Sequence, residues 1–255
     1  MAEFTTYPPG TPSWVDLASP DIEKSKAFYG GLFGWDPLVG PPEAGGYVMF
    51  QKGGKNVAGA MQIMTEGQPP AWMTYVDVED ADTTVDLVKK AGGTVFVEPM
   101  DVLDVGRMAV LADPTGAAIG LWQPRAHKGA ELANEPGSFC WNELQTRDTD
   151  KAKAFYAEVF GWGAETHETP GMTYTEWKRG EHSVGGMMDM PADMPADVPA
   201  YWLVYFAVDD CDAAVAKATE LGAAQLLAPT DIDPGRFAVL MDPTGATFAV
   251  IKMKG

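Results

Sequence analysis

The sequence predicts an α+β protein made of two tandem copies of one module. The stretch KAFYGGLFGW (Lys26 to Trp35) returns as KAFYAEVFGW (Lys153 to Trp162). Near the end of each half, GRMAVLADPTGAAIGL (Gly106 to Leu121) returns as GRFAVLMDPTGATFAV (Gly235 to Val250). Similarity that recurs at matching places along both halves of a chain indicates internal duplication. Within each copy, strand-like and helix-like patterns follow one another in a βαβββ-like order with one further helix.

The elements are predicted most clearly in the first copy. They are, in order, a strand at Ser13 to Ala18, a helix after Asp21 that ends near Gly34, two strands in a hairpin-like arrangement at Tyr47 to Gln51 and Val57 to Met64, a longer strand at Trp72 to Val78, a helix from Asp80 or Asp82 to Lys90 ended by Gly92, and two strands around the DPTG turn. The second copy starts with a strand at Phe139 to Thr146 and a helix from Asp148 to near Gly161. Asp favours helix starts and Gly favours helix ends. Phe28, Tyr29 and Phe33 lie at helical spacing, so we expect them in the core.

The duplication predicts domains at 1–125 and 137–255, with 126–136 as the linker.

Composition and charge exclude several classes of partner. The net charge of −18 and the absence of a basic cluster argue against nucleic acid and anionic membranes as partners. No apolar run of about 18 residues or signal-peptide pattern is present, so no membrane span is expected. Two cysteines without metal spacing suit a reducing compartment, and we expect a cytoplasmic monomer or weak homodimer.

Three motifs, each present twice, resemble those of a known superfamily. They are D-x(6)-FY-x(3)-FGW after the first strand, V-x-D-x-D before the second helix, and GR-x-AV-x(2)-DPTG near the end of each module. In this respect the chain resembles the vicinal oxygen chelate superfamily of glyoxalase, bleomycin-resistance and extradiol dioxygenase proteins. More narrowly, it is similar to tandem-module actinobacterial proteins labelled glyoxalase-like or hydroxylase. The resemblance implies two modules that pair into curved mixed sheets enclosing cavities.

The resemblance also implies where metal ligands would lie. Metal-using members place His, Glu or Gln early in the first strand, early in the strand before V-x-D-x-D, and in the last strand. Those positions fall here on Trp14, Met73 and Gly120, and in the second copy on Trp141, Leu203 and Ala249. None of these side chains holds a hard divalent metal, so we expect no metal and no cofactor. The three histidines, His127, His167 and His182, are predicted to be exposed loop residues.

Strand alternation then predicts what lines each cavity, because residues i and i+2 share a face. The inward positions are Trp14, Asp16, Met73, Tyr75, Gly120 and Trp122 in the first copy, and Trp141, Glu143, Leu203, Tyr205, Ala249 and Ile251 in the second. We therefore expect ligand contacts from Trp14, Met73, Trp122, Trp141 and Leu203. Aromatic walls with one carboxylate per module suit a flat, partly aromatic or carbonyl-containing small molecule.

Two interpretations of the carboxylates, Asp16 and Glu143, stay open. A buried carboxylate must pair, accept hydrogen bonds or take a proton. In the catalytic interpretation each acts as a general acid/base, with Tyr75 or Tyr205 as hydrogen-bond donor to the substrate. In the structural interpretation each pairs with the repeated arginine, Arg107 or Arg236.

The two copies differ in ways that bear on the choice of cavity. Trp122 in the first copy is replaced by Ile251 in the second, which favours the first cavity as the working one. The second copy carries a Met- and Pro-rich loop at Pro191 to Pro199, either an adaptable lid or a surface linker. Tyr47 and Tyr174 are interpreted as core residues.

The function predicted from these features is a metal-independent enzyme performing acid/base chemistry on an aromatic or carbonyl metabolite, of lyase, isomerase or hydroxylase type. The alternative is a non-catalytic protein that sequesters a drug or antibiotic in an aromatic cavity. A metal-dependent glyoxalase or dioxygenase is disfavoured by the empty ligand positions. The sequence contains no nucleophile elbow, P-loop or dinucleotide fingerprint.

Overall fold

The computed structural model describes residues 3–169, 172–191 and 194–254. The first module contains β1 (Pro12–Ser19), α1 (Ile22–Phe33), β2 (Asp36–Val39), β3 (Val48–Lys52), β4 (Lys55–Gln62), β5 (Ala71–Asp77), α2 (Ala81–Lys90), β6 (Thr94–Val102), β7 (Gly106–Ala112) and β8 (Ala118–Pro124). The second contains β9 (Phe139–Thr146), α3 (Thr149–Phe160), β10 (Gly163–Thr169), β11 (Met172–Arg179), β12 (His182–Asp189), β13 (Tyr201–Ala207), α4 (Cys211–Glu220), β14 (Ala224–Ile232), β15 (Gly235–Met241) and β16 (Thr247–Met253). The residues of the predicted Met-rich loop at positions 192 and 193 lie outside the described residues.

Each module forms one eight-stranded sheet, and the predicted α+β class with two tandem modules is confirmed. The strand order is β2-β3-β4-β1-β5-β8-β7-β6 in the first sheet and β10-β11-β12-β9-β13-β16-β15-β14 in the second. The sheets are mixed, since β1 runs parallel to β4 and antiparallel to β5. Each module therefore holds two βαβββ units, which meet at the central antiparallel pair.

The additional strands β2 and β6, with their counterparts β10 and β14, were not predicted from the sequence. All four residues of β2 are exposed, so no alternation of apolar and polar residues marks it as a strand. In β6, Pro99 and two register shifts interrupt the pattern. Edge strands of this kind contribute little to the core and leave a weak sequence signal.

The helix boundaries follow the capping residues that were predicted. The Asp21 side chain accepts a hydrogen bond from the Lys24 backbone N–H at 3.0 Å, and Gly34 ends α1 with φ of 70°. Asp148 and Gly161 do the same for α3. Of the two candidates for α2, Asp80 is the N-cap. A left-handed end residue suits Gly because Gly has no Cβ to clash.

The aromatic residues of the repeated helix join the two modules. The Tyr29 hydroxyl donates to Asp242 Oδ2 of the other module at 2.8 Å and accepts from Trp72 Nε1 at 2.9 Å. In the mirrored contact, the Tyr156 hydroxyl donates to Asp113 Oδ2 at 2.8 Å. The predicted core positions are confirmed, with exposures of 2% for Phe28, 0% for Tyr29 and 6% for Phe33. The FY and DPTG motifs are thus two halves of one inter-module contact.

Two further observations bear on environment. Among the described residues, no helix has both the length and the apolar character needed to cross a membrane. The cysteines are both free, with Cys211 buried and Cys140 half-buried.

Candidate functional site

The candidate site lies on the sheet face opposite the helices. On β5, the Trp72 ring packs against Tyr29 of α1 with centroids 5.2 Å apart, so its neighbour Met73 points to the other face. Across the β1–β5 pair, Asp16 lies opposite Met73 and Trp14 opposite Tyr75. The predicted inward side chains of β1, β5 and β8 therefore share one face, namely Trp14, Asp16, Met73, Tyr75, Gly120 and Trp122.

The Asp16 carboxyl is held by tyrosines. Its Oδ2 accepts a hydrogen bond from the Tyr47 hydroxyl at 3.2 Å, and that hydroxyl accepts from Trp14 Nε1 at 2.9 Å. The Tyr75 hydroxyl interacts with the same carboxyl from β5. Asp16 is only 7% exposed, and in the described part of the chain no Lys or Arg forms an ion pair with it. The carboxyl is thus buried without a compensating positive charge.

This environment changes the protonation of Asp16. Burial raises the pKa of its carboxyl to about 7, although the hydrogen bonds from Tyr47 and Tyr75 act to lower it. Burial also holds the pKa of both tyrosine hydroxyls well above their ordinary value, so they remain protonated donors. A carboxyl that titrates near neutrality can both accept and release a proton at physiological pH.

The predicted arginine pairing of the two carboxylates is wrong. Arg107 Nε binds Asp82 Oδ2 at 2.7 Å, and Arg107 Nη1 binds Asp101 at 3.1 Å, both exposed acids. Arg236 makes the equivalent contact with Asp212 at 2.7 Å. These arginines join the sheet to the start of the second helix of each module. The arginine of the recurring GR dipeptide therefore has a structural role, but it pairs with exposed aspartates and not with Asp16 or Glu143.

The interpretation of Tyr47 and Tyr174 as core residues also needs correction, because their hydroxyls belong to the acid sites. A glycine makes room for each hydroxyl. A Cβ at Gly59 would lie 1.8 Å from the Tyr47 hydroxyl, and one at Gly186 would lie 2.0 Å from that of Tyr174. The signal in the sequence was the matching of both residues between the copies, VAGAM with VGGMM and Tyr47 with Tyr174.

The second module repeats the arrangement around Glu143. Its Oε1 accepts from the Tyr205 hydroxyl at 2.9 Å and from Gln145 Nε2 at 2.7 Å, while Trp141 Nε1 donates to the Tyr174 hydroxyl at 2.9 Å. Burial raises the pKa of the Glu143 carboxyl, and the hydrogen bonds from Tyr205, Tyr174 and Gln145 oppose the increase. Of the other predicted contact residues in this module, Leu203 is buried and Trp141 is half-buried. The Gln145 amide has no counterpart in the first module, where Ala18 occupies the position.

The linker covers the first site, contrary to the prediction that His127 is exposed. The His127 ring packs edge-on against Trp14, with centroids 4.5 Å apart, and lies 5.4 Å from Trp122. Burial lowers the pKa of its imidazole to about 4, so the ring is neutral at pH 7. His167 and His182 are exposed as predicted, although they lie in β10 and β12. The path of the linker across the sheet, which no local pattern encodes, explains the error.

The metal-ligand positions of the superfamily do not fit a metal here. The side chains present are Trp14, Met73 and Gly120, none of which offers a hard donor. At Gly120, a Cβ would lie 2.2 Å from a Tyr75 ring carbon, so the tyrosine ring fills the space of a last-strand ligand. The described residues contain no group of three or more His, Cys, Asp or Glu able to hold a metal ion. The side chains at these positions therefore offer no metal-ligand set of the superfamily type.

Family models match both modules. Residues 11–121 match the Glyoxalase/Bleomycin resistance protein/Dioxygenase superfamily, and residues 141–251 match a Glyoxalase-like domain. The two matches cover all four helices and reach from the first strand of each module into its last strand.

Similar proteins are found among curated sequences and solved structures. "Putative glyoxylase CFP32" of Mycobacterium tuberculosis is 46% identical, covering 99% of this chain and 98% of its own length. "Anthracycline biosynthesis protein DnrV" of Streptomyces peucetius is 41% identical, covering 98% and 96%. The Mn(II)-bound glyoxalase from Novosphingobium aromaticivorans superposes with a TM-score of 0.68 at 17% identity, covering 95% of this chain and 82% of that chain. The 2,3-dioxygenase LapB from Pseudomonas sp. KL28 gives 0.65 at 14% identity, covering 96% and 92%. At these identities the two structures support the fold alone.

Proposed function

This chain belongs to the Glyoxalase/Bleomycin resistance protein/Dioxygenase superfamily, and we propose that it is an enzyme performing metal-independent acid/base chemistry on an aromatic or carbonyl small molecule. The observation that carries the proposal is the Asp16 carboxyl. It is buried on an aromatic sheet face and bound by Tyr47, and no Lys or Arg among the residues that the structure describes pairs with it. Removing a carboxylate from water costs free energy and raises its pKa. A carboxyl with a raised pKa can transfer a proton near neutral pH, as a general acid/base must.

In the proposed mechanism, Asp16 takes a proton from the substrate and returns it at another atom or releases it to a leaving group. Tyr75, whose hydroxyl stays protonated, donates a hydrogen bond to the carbonyl or phenol oxygen where negative charge develops. Tyr47 holds the carboxyl in place through its own bond to Trp14. Each of these steps uses only side chains of this chain.

The aromatic residues around Asp16 support a flat ligand. Trp14 and Trp122 are only 3% and 6% exposed, and His127 of the linker lies against both rings. In the proposal the linker moves aside for the ligand to enter, and the indole rings then stack on it. The similarity to a protein named for anthracycline biosynthesis supports a role in small-molecule metabolism.

We assign the working site to the first module. In the second module Gln145 donates to Glu143 in addition to Tyr205, so that carboxylate has more of its hydrogen-bonding capacity filled. This favours a structural role for Glu143 and Tyr205 and a catalytic role for Asp16 and Tyr75. Ligand contacts are proposed for Trp14, Met73 and Trp122, whereas Trp141 and Leu203 would only line the structural site.

The test compares Asp16→Asn with the matched variant Glu143→Gln. Wild-type protein is screened against phenols, quinones and 2-oxo carbonyl compounds, with ligand binding followed by tryptophan fluorescence and turnover by mass spectrometry. We expect Asp16→Asn to lower kcat by about 10²- to 10⁴-fold while Kd changes little. Glu143→Gln should retain activity. Binding without any product in wild-type protein would instead support the sequestering alternative.

The proposal has further parts with their own checks. We also propose that the protein is cytoplasmic, that it is a monomer or a weak dimer, and that its domains are 1–125 and 137–255. We propose no nucleic acid partner and no bound cofactor. Elemental analysis of purified protein tests metal independence. One transition-metal ion per chain, with activity lost on chelation and restored by that metal, would overturn it.

A further inference from the structure

A cavity lies beyond the acid site, at the end of β5. It has a volume of about 260 Å³, and its lining includes Tyr7, Asp77, Glu79, Gln123 and Lys128. The N-terminal segment, the turn into α2 and the linker meet there. Asp16, Tyr47 and Tyr75 do not contribute to it.

The notable group in this cavity is the carboxyl of Asp77. Asp77 is 2% exposed, and its Oδ2 is buried without a hydrogen-bond partner among the described residues. Burial raises the pKa of this carboxyl to about 7, while the positive charge of Lys128 acts to lower it. Buried carboxylates are normally satisfied, so an unpaired one that lines a cavity calls for a functional explanation.

The fold does not require a carboxyl at this position. The backbone of Asp77 accepts a hydrogen bond from the Gly10 N–H at 2.7 Å. In the second module, Ala207 occupies the same place and accepts the equivalent bond from Gly137 at 2.8 Å. The same backbone contact is therefore made with a methyl side chain. The carboxyl of Asp77 is a feature of the first module alone.

We propose that this cavity binds a small organic ammonium ion whose N–H groups donate hydrogen bonds to the Asp77 carboxylate. The polar neighbours do not satisfy that carboxylate: the Tyr7 hydroxyl donates to the Ala130 carbonyl at 2.8 Å. Lys128 is exposed and forms no ion pair with Asp77 in the described part of the chain. With Glu79 also at the cavity, two acids face one base, so the net local charge favours a cation.

The test uses the full chain and two probes, butylammonium, which has N–H donors, and tetraethylammonium, which has none. Calorimetric titration should show butylammonium binding that is at least tenfold weaker in Asp77→Asn. The matched control is Glu79→Gln, which removes a charge at the same cavity and should change the affinity less than twofold. Asp77→Ala reproduces the side chain of Ala207 and serves as a second variant that keeps the fold.

The pH dependence provides an independent readout. Groups facing the Asp77 carboxyl are Lys128 from the linker, Glu79 from the turn into α2 and Tyr7 from the N-terminal segment. Only the ionised carboxylate binds the probe, so affinity should fall about tenfold between pH 8 and pH 6 in wild type but not in Asp77→Asn. Equal weakening by Asp77→Asn and Glu79→Gln, or equal affinity for the two probes, would overturn the proposal. Neither Asp77 nor Glu79 has a role in the proposed reaction at Asp16, so the binding of these probes is tested separately from the proposed enzyme activity.

Discussion

At the scale of single residues, Asp16 shows how burial and hydrogen bonding act against each other. Removal from water raises the pKa of its carboxyl, and the Tyr47 and Tyr75 hydroxyls recover only part of that shift. Strand alternation was enough to predict that Asp16 and Tyr75 share a face. It was not enough to find Tyr47 or His127, because both reach the site from segments whose position depends on the folded chain.

The raised pKa of Asp16 has a consequence for stability. Between its ordinary value near 3.8 and about 7, folded Asp16 keeps a proton that the unfolded chain has lost. The folded state then binds more protons, so the free energy of unfolding falls as pH rises, by at most about 1.4 kcal/mol per pH unit for one group. Asp16→Asn stays neutral and should lack this contribution. Urea unfolding from pH 4.5 to 7.5 measures the difference, and parallel curves for the two proteins would contradict the expectation.

At the scale of elements, the linker is a structural part of the first module. The Ala130 N–H donates to the Ser13 carbonyl of β1 at 2.8 Å, and Trp122 Nε1 donates to the His127 carbonyl at 2.9 Å. These contacts lay the linker over the aromatic face around Asp16. The position of this stretch between the two copies predicted a linker but not its docking, because docking depends on contacts with strands far along the chain.

Gly129 is where this docking is most sensitive to substitution. Its φ is +104°, and a Cβ would lie 2.6 Å from the Ser13 carbonyl oxygen. We expect Gly129→Ala to destabilise the protein by about 1–3 kcal/mol and to speed hydrogen exchange at the Ala130 amide. Gly116→Ala is the matched control, because Gly116 has φ of +98° with nothing within 4 Å of the added Cβ. Unchanged exchange at Ala130 in Gly129→Ala would show that the linker tolerates the change.

At the scale of the whole molecule, the duplicated residues form the contact between the two modules. Each repeated helix places its tyrosine on the DPTG aspartate of the other module. The indoles follow the same rule, since Trp35 Nε1 donates to the Gly137 carbonyl and Trp162 Nε1 to the Gly10 carbonyl, both at 2.7 Å. The pair of modules is therefore bound by two copies of one set of buried bonds.

These bonds predict how the modules unfold. Tyr29→Phe removes a hydroxyl that donates to Asp242 and accepts from Trp72, so two buried atoms, Asp242 Oδ2 and Trp72 Nε1, lose that partner. We expect a loss of about 1–3 kcal/mol, and the same for its mirrored counterpart Tyr156→Phe. Tyr7→Phe, which removes a single half-buried bond to the Ala130 carbonyl, should cost less. Urea unfolding followed by fluorescence and circular dichroism should show one transition, and two separate transitions would contradict the coupling of the modules.

Four features could be predicted from the amino-acid sequence: the duplication, the α+β class, the capped first helices and the set of side chains on the inner sheet face. These features follow from local periodicity and from comparing one half of the chain with the other. Packing of the folded chain was needed to show that Arg107 pairs with Asp82, that Tyr47 bonds Asp16 and that His127 covers Trp14. It also showed that Asp77 Oδ2 has no hydrogen-bond partner in the described part of the chain. These contacts join residues that are far apart along the chain, and no periodic pattern in the sequence relates their positions. Their partners are therefore set by how the strands and the linker pack.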